Sequence, residues 1–186
     1  EGVLSIRCFP WGGDYRPPAF ASLACSPQGL LLSLWCQEKN PQVRYTQPND
    51  PVYLDSCLEA FLACYPGRRE YLNFEMNANG ALLLEFGPER ANRRRLAPGE
   101  FPGCYPAVTP FPAEEGWGVR LAVSHQFLSQ VYGEGKPPAP DSIRGNFYKC
   151  GSQPEHYACW GPIEAPAPDF HRPEFFQWLD GLWEMG

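Results

Sequence analysis

The stretch Tyr71-Leu-Asn-Phe-Glu-Met-Asn77 places Leu72, Phe74 and Met76 on one parity and Asn73, Glu75 and Asn77 on the other. Side chains of a strand point alternately to opposite faces, so the pattern fits a strand with one apolar and one polar face. Ala78-Asn79-Gly80 follows as a turn signal, and residues 81–86 return as a second apolar strand to make a hairpin. The polar face is unusual in kind. A face that meets only water carries Lys, Thr, Glu and Ser in mixed order, whereas this one offers two amides and a carboxylate, all short groups with directed hydrogen bonds.

Turn residues punctuate the whole chain in the same way. The 22 Pro and 18 Gly are dispersed between short apolar and aromatic runs, which excludes a mostly helical protein. Strands are expected at residues 20–26, 28–38, 55–64, 71–77, 81–86, 118–123, 143–149 and 177–183, with one short helix at 126–132. Residues 88–116 read as irregular, and residues 150–176 as a loop. The fold class this implies is all-β, a two-sheet antiparallel β-sandwich. No repeat, linker or composition shift divides residues 1–186, so the expectation is one domain, long enough to bury a core without a metal or disulfide staple.

Formal net charge is −6 and the only basic run is Arg93-Arg94-Arg95, which reads as a solvated loop, so nucleic acid is not an expected partner. No apolar run approaches the ~20 residues that cross a bilayer, so no membrane partner is expected either. The eight cysteines form no CxxC pair, and Cys25, Cys36, Cys57 and Cys64 lie in apolar runs. They read as buried free thiols. Cys150 and Cys159 are the pair to watch for a disulfide. Reduced thiols and the lack of a secretory signal lean toward the cytoplasm, whereas a chain processed to begin at Glu1 would be extracellular.

Catalytic patterns are sparse. There is no GxSxG elbow beside Ser124-His125, no phosphate-cradling glycine loop and no EF-hand spacing, so no cofactor is expected. Cys159 near His156 is the one local thiol–imidazole candidate. Glu59 and Glu75, both on strands, are the one carboxylate pair suited to a glycoside hydrolase. A binding surface accounts for more of the residues. Sugars present hydroxyls in fixed directions and flat C–H faces, which call for bidentate polar groups beside exposed rings. Asn73, Glu75 and Asn77 make one polar row, Arg144, Asn146 and Tyr148 a second. Tyr53 and Trp160 lie in loops where their rings could meet a ligand. Blander roles compete: Asn77 shaping the turn, Glu75 and Arg144 as an ordinary cross-strand ion pair, and Trp160 in the core. A sandwich that docks a protein through its aromatic loops is a third reading.

The ordered set "NDPVYLDSCLEAFL", "YLNFEMNANGALLLEFG", "WGVRLAV", "IRGNFYKCG", a Trp and "PDFHRPEFF" resembles the family 9 carbohydrate-binding modules, in particular stand-alone bacterial members. The resemblance runs from about Leu30 to Leu182. It implies a jelly-roll-like sandwich of the carbohydrate-binding-module type and non-catalytic binding of an oligosaccharide or polysaccharide of the xylan or cellulose kind. It also implies a link to carbohydrate catabolism, an association with glycoside hydrolases, and a ligand gripped between two aromatic rings. Tyr53 stands where such modules place a Trp, Trp160 matches the second ring, and Glu59, Glu75 and Asn77 match polar ligands, with Glu75 in place of a basic residue. Asn146, Lys149 and His156 match the subgroup motif and are expected to rim the site. "FHRPEFF" reads as structural, with His171 and Arg172 tying down the last strand. Some members hold structural calcium, for which no ligands are evident in this sequence.

Overall fold

The computed structural model describes residues 2–185. In chain order its first strands are β1 (Val3–Ile6), β2 (Ala19–Ser26), β3 (Gly29–Cys36), β4 (Cys57–Ala63), β5 (Tyr71–Asn77) and β6 (Leu82–Gly87). They are followed by β7 (Arg94–Arg95), β8 (Ala107–Ala113), β9 (Gly116–Ser124), helix α1 (His125–Tyr132), β10 (Arg144–Ser152), β11 (Glu155–Cys159), β12 (Gln177–Trp178) and β13 (Trp183–Met185). One sheet runs β1-β2-β3-β9-β8, with β13 added in parallel to β2. The other runs β11-β10-β4-β5-β6-β7, with β12 on β10. Apart from β13 the pairings are antiparallel, and the predicted two-sheet sandwich is the fold.

The alternation read in the sequence sets the layers. Leu32 and Leu34 of β3 and Val119 and Leu121 of β9 meet Leu58, Ala60 and Leu62 of β4 and Leu72, Phe74 and Met76 of β5 in one buried cluster. Each such aliphatic or aromatic side chain stabilises the fold by about 1.5–3 kcal/mol through area removed from water. The hairpin β5–β6 closes at Gly80, whose φ of +80° suits the absence of a Cβ. Helix α1 forms as expected. The Ser124 hydroxyl accepts the Phe127 N–H at its start, Gly133 ends it with a left-handed φ, and Phe127, Leu128 and Tyr132 anchor it to the core.

Five elements depart from the sequence reading. β1, β7, β8 and β11 are strands where none is predicted, and each lies at a sheet edge. β8 carries Pro110 and Pro112, which remove ladder donors and are accommodated on a strand paired on one side only. The strand predicted over 177–183 is split into β12 and β13 by a turn that includes Gly181 at φ +71°. The cysteines are all free thiols. Cys150 is not opposite Cys159: its register partner on β4 is Cys57, while Cys159 pairs through its backbone with Cys8.

Candidate functional site

Register across β10, β4, β5 and β6 assembles the outer face of the second sheet. Tyr148 pairs with Glu59, Glu59 with Glu75, and Glu75 with Leu83. Cys150, Cys57 and Asn77 form the parallel row one step along, and Phe61 and Asn73 the row on the other side. A cavity of about 480 Å³ opens over this face. Its base is Glu59, Glu75, Phe61, Leu83 and Cys150, and its walls come from Tyr53, Tyr157 and the segment Pro168–His171, with Arg90, Arg95 and Glu85 at one side. The volume lies within the range of small-molecule sites, roughly 300–1,000 Å³.

The walls are braced from behind. Phe170 stacks on Tyr148 with ring centroids 4.2 Å apart and planes 14° from parallel, and the Tyr148 hydroxyl donates to the Phe170 carbonyl at 3.1 Å. Trp11 packs against both Phe170 and Tyr157 and donates its indole N–H to the Ala165 carbonyl. The His171 Nδ1 lies 2.8 Å from the Tyr71 hydroxyl. Burial, with Arg93 and Arg90 nearby, lowers the His171 imidazole to about 3, so it is neutral. Asp169 is held between Arg90 and Arg172. Tyr53, on a 3-10 turn at Val52–Leu54, is 45% exposed and presents its ring to solvent beside the cavity.

The base carries two carboxyls with no ion-pair partner among the described residues. Glu59 and Glu75 are cross-strand neighbours, and both are buried. Burial, with the Cys150 thiol alongside, pushes Glu59 well above the ordinary carboxylate range. Burial and the proximity of Glu59 do the same to Glu75. Burial therefore favours the protonated acid in both, a form able both to donate and to accept. Glu59 accepts from the Cys150 thiol at 3.1 Å, and Glu75 accepts from the Asn73 amide at 2.9 Å.

Of the residues expected to meet a ligand, Tyr53, Glu59 and Glu75 line the cavity. Asn73 lies on the same face but is enclosed. Its amide donates to Glu75 and Glu85, and its carbonyl accepts from Arg93. Asn77 is turned into the hairpin: its carbonyl caps the Asn79 and Ala81 N–H groups, and its amide donates to the Tyr45 carbonyl and to Asp55. Tyr148 is covered by Phe170. Arg144 lies near the Trp178 ring, away from the cavity, and makes no ion pair with Glu75 because β4 separates their strands. Asn146 is buried and exchanges two hydrogen bonds with the Gly161 backbone, a structural clamp.

Three expectations are corrected by strand parity. Lys149 follows Tyr148 and so points between the sheets, where it is fully buried 3.2 Å from Glu38 Oε2. His156 pairs with Gly151 and lies on that same inner side, accepting from Lys149 Nζ at Nε2 over 2.7 Å. Trp160 comes one residue after Cys159, the partner of Tyr148, and its ring packs on Phe147 and the main core. None of the three rims the cavity. The basic run is likewise more than a solvated loop. Arg93 is buried over the Tyr71 ring at 4.0 Å and donates to Asn73 and to the Tyr71 and Gly87 carbonyls, while Arg94 and Arg95 stay exposed.

Sequence reasoning missed Tyr157, Phe170, Asp169 and Arg90. Tyr157 lies on the unpredicted edge strand β11. Phe170 and Asp169 belong to the quoted "PDFHRP" segment, and nothing local shows that it folds back over a strand a hundred residues earlier.

Comparison with known proteins agrees with the fold. Residues 3–101 and 114–180 match the family model described as carbohydrate-binding family 9. No curated protein matches the chain. Among solved structures, a candidate carbohydrate-binding protein from Bacteroides uniformis ATCC 8492 superposes with a TM-score of 0.81 at 26% identity, covering 94% of this chain and 83% of that one. A family 9 carbohydrate-binding module from Caldicellulosiruptor kristjanssonii in complex with glucose superposes at 0.62 with 11% identity, covering 94% and 82%. A family 9 carbohydrate-binding module from the same organism in complex with cellotriose gives 0.60 and 11%, covering 94% and 78%, and at that identity the likeness is one of fold. With the family model matched over most of its length, the chain belongs to carbohydrate-binding family 9.

Proposed function

We propose that the cavity over β4 and β5 binds the end or a short segment of a neutral gluco- or xylo-oligosaccharide without cleaving it. The observation that carries this is the pairing of Glu59 and Glu75 at the base with the exposed ring of Tyr53 and the braced rings of Phe170 and Tyr157 at the walls. Two carboxyls biased by burial toward the protonated form offer donors and acceptors to hydroxyls, and the rings offer flat apolar area to the sugar C–H face. Family membership and the glucose and cellotriose complexes of the structural neighbours support the same class of ligand. A place in polysaccharide breakdown beside glycoside hydrolases follows from such a ligand.

A hydrolase using Glu59 and Glu75 is the second reading, favoured by their position opposite one another. Cross-strand Cβ atoms stand about 5 Å apart, compatible with the close carboxyl spacing of retaining enzymes. Against it, a nucleophile must be ionised, and burial disfavours the ionised form of both acids. Calorimetric titration with glucose, cellotriose and xylotriose, followed by a reducing-sugar assay on the same samples, separates the two. Saturable heat without new reducing ends is expected. Absence of binding to all three sugars overturns the first reading, and release of reducing ends that Glu59→Gln abolishes establishes the second.

A further inference from the structure

Cys57 and Cys150 stand beside Glu59 of the cavity base, and the carbohydrate reading uses neither thiol. Cys57 and Glu59 are two residues apart on β4 and so share a face, and Cys150 on β10 is the register partner of Cys57. The two sulfurs and a Glu59 oxygen lie within 4.8 Å of one another, and all three residues are buried. Cys150 Sγ is already 3.1 Å from Glu59 Oε1. In a tetrahedral zinc site, with bonds of about 2.0–2.3 Å, ligand atoms stand roughly 3.3–3.8 Å apart. Closing this cluster around an ion needs about 1 Å of movement or less per pair.

We propose that Cys57, Glu59 and Cys150 bind one divalent cation of the zinc class, with the fourth coordination position open to the cavity. The donor set selects the metal: two sulfurs and one carboxylate suit zinc and its neighbours, whereas calcium and magnesium require oxygen ligands. Glu59 and Cys150 both border the cavity, so the open position faces water or whatever occupies that space. Among the described residues, no Lys or Arg side chain hydrogen-bonds to any of the three, and a dication would supply the positive charge that favours the ionised form of Glu59. As the bonds to the metal form, the two thiols and the Glu59 carboxyl each release a proton to solvent, and Glu59 coordinates as the carboxylate. Cys8 and Cys159 also face one another, but no third ligand stands with them among the described residues, which makes them an internal control. Glu59 is shared with the proposed sugar site whereas Cys57 and Cys150 are not, so metal uptake is read separately from sugar binding.

The test is titration of the reduced, metal-free full chain with Co²⁺, followed by Zn²⁺. The expected result is uptake of one equivalent of Co²⁺ with the visible bands of tetrahedral cobalt and a sulfur-to-cobalt charge-transfer band, both erased by Zn²⁺. Cys57→Ser and Cys150→Ser should each diminish the charge-transfer band and weaken binding at least tenfold. Glu59→Gln should keep the band while weakening binding, and Cys8→Ser should change neither. Failure of the wild-type chain to take up stoichiometric Co²⁺ overturns the proposal without any variant. So does a charge-transfer band that survives intact in folded Cys57→Ser and Cys150→Ser, or one that Cys8→Ser removes.

Discussion

Lys149 Nζ lies 3.2 Å from Glu38 Oε2 inside the sandwich, with both side chains almost wholly buried, although its chain neighbour Tyr148 faces the opposite way. Trp117 Nε1 and the Tyr15 hydroxyl also donate to the Glu38 carboxylate, and Lys149 donates in addition to His156. Burial alone would raise Glu38, but Lys149 and Trp117 hold it below its ordinary value. Removing one member of such a pair strands the other charge. Lys149→Ala should therefore cost about 3–5 kcal/mol in denaturant unfolding, and Lys149→Met with Glu38→Gln should recover most of that loss.

His156 makes the stability of this end of the molecule depend on pH. Its Nδ1 faces the Pro154 carbonyl at 2.6 Å and its Nε2 accepts from Lys149, so the ring is neutral. Burial and Lys149 lower it from 6.5 to about 4. Above about pH 6.5 the ring is neutral in both folded and unfolded chains, and its contribution is complete. Between about 6.5 and 4 only the unfolded chain takes the proton, and stability falls by on the order of 2 kcal/mol. Glu59 and Glu75 act in the opposite sense, since they ionise in the unfolded chain first as pH rises. The comparison that isolates His156 is wild type against His156→Gln. The variant should be less stable at pH 7.5, and the gap should narrow toward pH 4.

Two aromatic substitutions should behave in opposite ways. Tyr53 is exposed beside the cavity and contributes little to packing. Tyr53→Ala should leave the melting temperature nearly unchanged and weaken sugar binding by roughly 5- to 150-fold, the range of about 1–3 kcal/mol for a ring-stacking contact. Trp160→Ala opens a gap against Phe147 and the core. It should destabilise by about 2–4 kcal/mol and leave the affinity of the folded protein intact. Calorimetry and thermal melts on both variants check the contrast.

The basic run divides in the same fashion. Arg93→Ala leaves the carbonyls of Tyr71 and Gly87 and the Asn73 side chain without their donor. The expected loss is about 3 kcal/mol, measured by denaturant unfolding. Arg94→Ala removes an exposed side chain and should fall within about 0.5 kcal/mol of wild type.

Local pattern carried most of the fold. Alternation in Tyr71–Asn77, the Gly80 turn and the apolar run of β4 are each visible within ten residues, because parity and turn chemistry are properties of the backbone itself. The edge strands β1, β8 and β11 were hidden because a strand bonded on one side tolerates proline and mixed polarity. That omission had a consequence for the site. Without β11, the sides of the sheet taken by His156 and Trp160 could not be counted from the pairing of Cys159 with Tyr148.

The sequence by itself determined a proline- and glycine-punctuated sandwich and a polar strand face bearing Glu75, since both are written in side-chain periodicity. Only the tertiary structure decided that Glu59 would stand opposite Glu75, that Asn73 and Asn77 would be consumed by Arg93 and the hairpin, and that Phe170 would wall the cavity. Those outcomes depend on register between distant strands and on where a loop folds back. Neither has any local signature, because the free energy that selects them comes from burial shared among segments far apart in the chain.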